Sequence, residues 1–197
     1  MLQQTQVKTV IPYFNNFIRN IPNLKKLSKV SEKKILKLWE GLGYYKRAKN
    51  LHKTSKILVR DFDEKIPDSF TKLKELPGIG DYTANVLLAL IYNQPRIGID
   101  GNVKRLLQRI FNINIDKASY SFKTKRNGDL AEALMEFGSL ICKPKDPLCG
   151  QCKINDVCLY YKSDIKTNFN EKSKIKSKNY DIFCYLKKNK KQIALTK

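Results

Sequence analysis

Acidic residues are scarce in this 197-residue chain, which has 18 aspartates and glutamates against 39 lysines and arginines and a formal charge of +21. Basic side chains that neutralise phosphates release counterions, so this imbalance favours an anionic polymer as partner. Only 7 of the 39 basic residues are arginines, which leaves a merely soluble basic surface as the alternative. The composition predicts binding to nucleic acid.

Long apolar runs are also missing. No stretch approaches the roughly 20 apolar residues that a membrane-spanning helix needs. The first residues, MLQQTQVKTVIPYF, lack the basic and then apolar regions of a secretory signal peptide. We therefore expect a reduced, cytoplasmic protein without membrane contact, long enough for one or two domains with an apolar core.

Cysteine is rare outside one short segment, ICKPKDPLCGQCKINDVC. Four of the five cysteines lie there with the spacing C-x6-C-x2-C-x5-C, at Cys142, Cys149, Cys152 and Cys158. Two disulfides would suit a small secreted domain, which this chain does not resemble. Zinc sites usually pair two C-x2-4-C knuckles, and only one is present. Four thiolates can also ligate a 4Fe-4S cluster, so the spacing favours a cluster and leaves zinc open.

Hydrophobic periodicity predicts an all-α protein up to about residue 160. Apolar residues recur at helical spacing from Leu2 to Ile18, where we expect Pro12 to kink the helix or to mark its start. Further helices are expected at 33–39 after an N-cap at Ser31, and at 44–61, 69–76, 81–92, 101–111 and 128–141. In the helix at 44–61, Leu51, Ile57 and Leu58 should point inward. We assign 1–141 to a helical core and 142–158 to the cysteine loop.

The sequence changes character after Cys158. Residues 159–179 are polar and lysine-rich, which is typical of a linker. The last segment, YDIFCYLKKNKKQIALTK at 180–197, has two β-prone runs around KKNKK and predicts a hairpin. A lone hairpin is barely stable in water, so we expect this segment to be the start of a second domain.

The segment LKELPGIGDYTANVLLAL at 73–90 predicts two helices joined by the turn Pro77-Gly78-Ile79-Gly80. Two glycines around one apolar residue allow backbone N–H groups to face an anion near the N-terminus of the next helix. A DNA phosphate is the natural occupant. The alternative is an ordinary turn between helices, because Pro-Gly is common in such turns.

Asp100 stands 20 residues beyond Gly80, in IDGNVKRLLQRI. Taken alone it is a helix N-cap. The order of LPGIG, Asp100 and the four cysteines, however, resembles the helix-hairpin-helix DNA glycosylases that carry an iron–sulfur cluster. The resemblance implies an all-α fold with two helical lobes and a 4Fe-4S cluster on the four cysteines.

Two branches of this superfamily are distinguished at Tyr82. Endonuclease III-type pyrimidine glycosylases have a nucleophilic lysine at the matching position of GIGDYTAN, and a phenol cannot form their Schiff base. MLQQTQVKTVIPYF, LWEGLGYYKRAKNLH and DGNVKR instead resemble segments of the MutY-type adenine glycosylases, which excise adenine opposite 8-oxoguanine. This resemblance covers residues 1 to about 160 and the tail. The alternatives are an endonuclease III-type lyase and a cluster-bearing DNA-binding protein without catalysis.

The resemblance also implies residue roles. Asp100 would stabilise the oxocarbenium sugar, and Tyr82 and Asn102 would line the sugar and this carboxylate. Gln4 and Tyr44 would wedge into the duplex beside the mispair. Further DNA contacts are expected at Gln3, Thr5, Pro77, Gly78, Ile79, Gly80, Lys104, Lys143 and Lys145. The expected partner is double-stranded DNA with an A:8-oxoguanine or A:G mispair, bound by a monomer in the bacterial cytosol.

One catalytic group is expected to be missing. The family's chemistry resembles glycoside hydrolysis with two carboxylates. Its general acid is a glutamate that would fall a residue or two ahead of Met1, and Glu32, Glu40 and Glu75 occupy unrelated positions. The tail resembles the start of the family's Nudix-like domain, which reads 8-oxoguanine. We therefore expect a chain truncated at both ends that binds mispairs better than it cleaves them.

Overall fold

The computed structural model describes residues 1–112 and 124–163 and the strand residues 183–186 and 193–196. The helices of this part are α1 Val7–Asn20, α2 Leu24–Lys29, α3 Glu32–Leu38, α4 Lys46–Asp61, α5 Phe70–Glu75, α6 Asp81–Tyr92, α7 Gly101–Phe111, α8 Asn127–Leu140 and α9 Leu159–Lys162. Two short 3-10 turns, Cys149–Gln151 and Asn155–Val157, lie between α8 and α9. Within the described ranges, no helix is both long and apolar enough to span a bilayer.

The chain forms two compact units, Met1–Gly80 and Asp81–Lys197. The first has its own apolar core, in which the ring of Phe17 meets Trp39 edge to face with centroids 6.2 Å apart. Trp39 is only 1% exposed, and its indole N–H donates to the carbonyl of Gly43 at 3.1 Å. The other buried members of this core are Val10, Ile21, Leu27, Ile35, Leu42 and Ala48. Trp39 therefore anchors the loop that follows α3.

Helix α1 rules out one of the two expectations for Pro12. The helix begins at Val7, so Pro12 lies inside it and does not mark its start. Val10 and Phe17 are its buried side chains. A second apolar row of this helix is exposed, and it consists of Val7, Ile11, Phe14 and Ile18. The apolar spacing predicted the helix correctly without showing which of the two rows faces the core.

The helix predicted at 44–61 begins two residues later, at Lys46, because Tyr44 has a left-handed backbone with φ of 48°. Of its three expected inward residues only Leu58 is fully buried, while Leu51 and Ile57 are half-buried. Its buried face instead includes polar side chains that donate to carbonyl groups. The Ser55 hydroxyl donates to the carbonyl of His52 at 2.7 Å. Such local hydrogen bonds let polar residues occupy an interior position.

The second unit is built on α6, α7 and α8. Its buried core residues are Ile97, Val103, Leu106, Leu107, Ile110, Leu130, Leu134 and Ile154. Gly138 in α8 lets the helices approach closely, because a Cβ there would lie 2.8 Å from the carbonyl oxygen of Asn102 in α7. Asn93, which has a left-handed φ of 49°, accepts from the N–H groups of Asn127 and Gly128 at 2.6 and 3.2 Å. A residue from the end of α6 thus caps the start of α8.

The strands β1 Phe183–Leu186 and β2 Ile193–Thr196 pair antiparallel, with Phe183 opposite Thr196. This confirms the predicted C-terminal hairpin. Its assignment to the start of a Nudix-like domain stays a prediction. Of the predicted linker, α9 occupies the first residues, and residues 164–179 lie outside the described part.

The only histidine, His52, gives the first unit a predicted pH dependence. It is 4% exposed, and burial lowers its pKa, with a further lowering by Lys56 that Glu32 opposes. Below the usual value of about 6.5 the unfolded chain then takes up a proton before the folded chain does. The free energy of unfolding should therefore be highest above about pH 6.5 and fall as the pH drops through the lower native pKa.

Urea unfolding at several values between about pH 5 and pH 7.5 measures this dependence. His52→Gln should make the dependence in this range less steep, and the part that remains includes the Met1 amine, whose pKa burial also lowers. The histidine contribution is wrong if the variant loses stability on acidification as steeply as the parent chain.

Candidate functional site

Asp100 lies at the N-terminus of α7 and caps it. Its Oδ1 atom accepts from the N–H groups of Asn102 and Val103 at 2.9 and 2.7 Å. Its Oδ2 atom accepts from the Asn102 side-chain amide at 3.1 Å. The positive end of the helix dipole stabilises a negative charge at this position. The carboxylate is half-buried and is held in one orientation by three donors.

The Asn102 amide connects Asp100 to the cysteine loop. Its Oδ1 atom accepts from Nη2 of Arg105 at 3.0 Å. The same guanidinium donates to the carbonyls of Gly138 and Cys142, at 2.5 and 2.9 Å. A continuous chain of hydrogen bonds therefore runs from the Asp100 carboxylate to the backbone of the first predicted cluster ligand.

Tyr82, in the first turn of α6, is near this carboxylate. Burial and the charge of Asp100 raise the pKa of its phenol, so the phenol is protonated at neutral pH. It donates to the sulfur of Met135 at 3.0 Å and remains 38% exposed. A Cβ on Gly98 would lie 2.8 Å from the Tyr82 ring, so the glycine two residues before Asp100 makes room for the ring.

The two predicted wedge residues, Gln4 and Tyr44, belong to the first unit. Both have left-handed backbones, with φ of 56° and 48°. Such values are uncommon outside glycine and point to a local constraint. Tyr44 is 64% exposed, and Tyr45 is also exposed at 43%. Tyr44 therefore combines a left-handed backbone with an exposed aromatic side chain, and its role as a wedge stays a prediction.

The turn Pro77–Gly80 ends the first unit. Gly78 has φ of 83°, and a Cβ there would lie 2.9 Å from the side chain of Asn50. Gly80 has no such requirement, because a Cβ there would meet nothing within 4 Å. The carbonyl of Pro77 accepts from the Thr54 hydroxyl at 3.0 Å.

Two predicted DNA contacts, Ile79 within this turn and Gln3 beside it, make hydrogen bonds here. Ile79 donates its N–H to Leu76 at 3.1 Å, and the Gln3 amide reaches the Gly78 carbonyl at 3.4 Å. The structure thus brings Gln3 of the first segment to the turn. Thr5 closes its own segment by donating to the Gln3 carbonyl at 3.4 Å.

The four clustered cysteines line one cavity in the second unit, together with side chains that include Leu106, Ile110 and Tyr160. All four thiols are half-buried and free. Burial raises the pKa of Cys152 and of Cys158, and the neighbouring cysteines add to the increase. Within the described ranges, no three His, Cys, Asp or Glu side chains form a group that could hold a metal ion. What the structure shows is a convergence of thiols on one hollow.

Arg109, which the sequence showed only as one more basic residue of α7, holds the cysteine loop. Its Nη1 atom donates to the Lys143 carbonyl at 2.7 Å and lies 3.4 Å from the sulfur of Cys142. Its Nη2 atom donates to the Pro144 carbonyl at 3.1 Å, and the guanidinium lies 4.9 Å from the Tyr160 ring centroid. Arg105 and Arg109 are four residues apart and so share a helix face, which was the available signal.

The predicted lysine contacts differ in exposure. Lys143 and Lys145 are exposed on the loop between the first two cysteines, whereas Lys104 is half-buried on α7. The loop lysines can therefore reach an anion without rearrangement of the core. Arg109 fixes the backbone that carries them by binding the carbonyls of Lys143 and Pro144.

The chain matches one protein family and several proteins whose activity is named. Residues 1–128 match the family described as HhH-GPD superfamily base excision DNA repair protein. An adenine DNA glycosylase of Buchnera aphidicola subsp. Schizaphis graminum is 40% identical over 201 residues, which cover 95% of this chain and 58% of that protein. The chain thus spans little more than half the length of this relative. A thymine-DNA glycosylase of Aeropyrum pernix is 31% identical, with coverage of 83% of this chain and 80% of that protein.

Among solved structures, a thermostable thymine-DNA glycosylase superimposes with a TM-score of 0.73 at 22% identity, covering 82% of this chain and 80% of that one. This likeness confirms the predicted all-α helix-hairpin-helix glycosylase fold. The predicted resemblance to adenine glycosylases is confirmed by the Buchnera relative. From its residues 1–128, the chain belongs to the HhH-GPD superfamily of base excision DNA repair proteins.

Proposed function

We propose that this chain is the core of an adenine DNA glycosylase, which hydrolyses the N-glycosidic bond of adenine mispaired with 8-oxoguanine or guanine. The observation that carries the proposal is the Asp100 carboxylate, which three donors fix at the N-terminus of α7 close to Tyr82. The 40% identity to an adenine glycosylase supports the choice of base.

Asp100 would act on the sugar. As the bond to adenine lengthens, positive charge develops on the ring, and a carboxylate already fixed beside it stabilises that charge without reorganisation. Asn102 keeps Oδ2 of Asp100 in place, and Arg105 keeps Asn102 in place. A water molecule then completes the hydrolysis. Protonation of the leaving adenine needs a general acid, for which we expect the glutamate that the resemblance places ahead of Met1.

A bifunctional lyase is the first alternative. It requires an amine nucleophile, and the side chain at the matching position is the phenol of Tyr82. A thymine glycosylase is the second, and it is favoured by the Aeropyrum relative, of which this chain covers 80%. A binding protein without catalysis is the third. On the same set of duplexes, a lyase would also cut the strand, a thymine glycosylase would release thymine, and a binding protein would give no product.

Asp100→Asn tests the proposed chemistry. The amide keeps the shape of the side chain but removes its negative charge, so single-turnover release of adenine from an A:8-oxoguanine duplex should fall at least about 100-fold. The assay uses the chain extended at its N-terminus by a helix that carries the expected glutamate. Glu132→Gln, an exposed carboxylate on α8, loses the same charge and should keep the parent rate.

The same duplex series decides among the alternatives. Release of thymine from a G:T duplex in place of adenine would identify a thymine glycosylase. A covalent adduct after borohydride treatment would identify a lyase. Equal rates of adenine release for the parent and Asp100→Asn chains would show that Asp100 caps α7 without a role in the reaction.

We further propose that Cys142, Cys149, Cys152 and Cys158 hold a 4Fe-4S cluster. The four thiols do not form a closed metal-binding group in the described residues, but they are free and line one hollow, and four cysteine thiolates are the donor set of iron–sulfur clusters. When bound there, the cluster would cross-link the loop and serve as a structural element. Lys143 and Lys145 would then face DNA phosphates from a rigid loop, since both are exposed.

The cluster has a direct signature. Protein purified without oxygen should be yellow-brown and contain about four iron atoms per chain. Cys149→Ser should lose both colour and iron. Cys184→Ser, which changes the one cysteine outside the group, should retain them. A colourless parent protein with one equivalent of zinc would show that the site is a zinc site.

The turn Pro77–Gly80 is proposed to bind a phosphate of the DNA backbone. Gly80→Ala separates this role from folding, because a Cβ at Gly80 meets no atom within 4 Å. The methyl group should hold the phosphate away from the backbone and lower duplex affinity about tenfold, with an unchanged melting temperature. Fluorescence anisotropy with a labelled duplex measures the affinity.

Gly78→Ala provides the contrast. Its added Cβ would collide with Asn50 and would need a left-handed backbone, so it should lower the melting temperature as well. If Gly80→Ala binds DNA as tightly as the parent chain, the turn does not contact phosphate.

A further inference from the structure

One guanidinium, that of Arg47 in α4, ties together the two segments that carry the predicted wedge residues. Its Nη1 atom donates to the carbonyl of Met1 at 2.6 Å, to the Thr5 hydroxyl at 2.9 Å and to the carbonyl of Gln3. These acceptors surround Gln4 on both sides. The first segment therefore closes around one charged group.

The other terminal nitrogen of Arg47 holds the second segment. Nη2 donates to the carbonyls of Leu42 and Gly43, each at 3.2 Å. These are the last two residues before Tyr44. One guanidinium thus binds the backbone beside Gln4 and the backbone that leads into Tyr44.

Two aromatic rings complete the environment of Arg47. Its guanidinium carbon lies 5.6 Å from the centroid of Trp39 and 5.3 Å from that of Tyr44, both within the range of a cation–π contact. Trp39 is buried in the core, whereas Tyr44 is mostly exposed. The guanidinium of Arg47 therefore contacts both a ring that is buried in the core and a ring that is exposed.

The backbone at both wedge residues needs such support. Gln4 and Tyr44 have left-handed φ values that side chains other than glycine adopt at an energetic cost. Residues in such conformations persist where the surroundings fix them, and they cluster at functional sites. The contacts of Arg47 lie directly beside both residues.

We propose that Arg47 is a positioning residue that holds Gln4 and Tyr44 ready to enter the stacked bases beside a mispair. The proposal rests on the proposed function, together with the expectation from the sequence resemblance that these two side chains wedge into the duplex. Pre-organised side chains lose less conformational entropy on binding. Because the two wedge side chains enter the base stack only beside a mispair, we expect Arg47 to raise the affinity for mispaired DNA and to leave the affinity for fully paired DNA unchanged. Lysine cannot replace arginine here, because its three donors cannot serve five acceptors in a planar arrangement.

Arg47→Lys keeps the positive charge and removes the planar guanidinium with its two terminal nitrogens. Arg60→Lys is the matched control, because Arg60 is on the same helix and donates to the carboxylate of the adjacent Asp61, with both hydrogen bonds at 2.7 Å. The full chain is titrated with a duplex that carries 2-aminopurine next to an A:8-oxoguanine mispair, whose fluorescence rises when the neighbouring bases unstack. A duplex without the mispair gives the general affinity.

The parent chain and Arg60→Lys should give the rise in fluorescence and the same preference for the mispaired duplex. Arg47→Lys should lose most of the rise, and its preference for the mispair should fall about tenfold. Its affinity for the fully paired duplex should stay within about twofold, because the charge is conserved. In the free protein, hydrogen exchange at residues 1–5 and 42–45 should become about tenfold faster.

Several results would overturn the proposal. These are an unchanged fluorescence rise in Arg47→Lys, an equal loss of affinity for both duplexes, or unchanged exchange at the two segments. If the parent chain itself gives no rise in fluorescence, the predicted wedge role of Gln4 and Tyr44 is wrong. Hydrogen exchange at residues 1–5 and 42–45 still decides whether Arg47 fixes these two segments.

Thr5→Val guards against a general loss of folding. It removes the one side-chain acceptor of Nη1 and leaves α4 unchanged. It should show the same pattern as Arg47→Lys at smaller size, with a circular dichroism spectrum equal to that of the parent. A parent-like fluorescence rise and parent-like exchange in Thr5→Val, together with unfolded Arg47→Lys, would count against the proposal.

Discussion

The Asp100 carboxylate is held in one orientation at the N-terminus of α7, and this constraint involves both α7 and α8 of the second unit. Two backbone N–H groups of α7 and the Asn102 amide hold its two oxygens. The close approach of α7 and α8 at Gly138 places a carbonyl within reach of Arg105, which in turn holds Asn102. The observed role of Asp100 as a helix cap is therefore compatible with its proposed role at the sugar.

The cysteine loop depends on the same helix. Arg105 and Arg109, one turn apart on α7, donate to the carbonyls of Cys142, Lys143 and Pro144. Thiols with raised pKa values repel one another if they all ionise, and a bound cation would relieve that repulsion. The two arginines hold the loop against α7 through these carbonyls. The proposed cluster would therefore add a second set of links to a loop that hydrogen bonds already hold.

Sequence patterns predicted the features that depend on local chemistry. The bounds of α6 and α7 agree with the prediction, because a turn with two glycines and an Asp N-cap mark their first residues. The patterns missed partners that are distant along the chain, such as the Asn93 cap on α8 and the 37-residue separation between Arg105 and Cys142. They also missed the buried His52, since residue type alone does not show which polar side chain faces the core.

Arginine and lysine have different tasks in this chain. Lysines supply most of the charge, and those in the described part of the chain are exposed except for the half-buried Lys104. An exposed lysine is a flexible point charge that can follow phosphates. Three of the 7 arginines, Arg47, Arg105 and Arg109, instead donate to backbone carbonyls in the interior of the candidate sites. A planar guanidinium can join several carbonyls that belong to different segments, which a lysine ammonium does poorly. In a chain so rich in lysine, we therefore expect arginine to persist at positions where one side chain must bind several backbone carbonyls. An arginine in such a lysine-rich sequence is a candidate for this role.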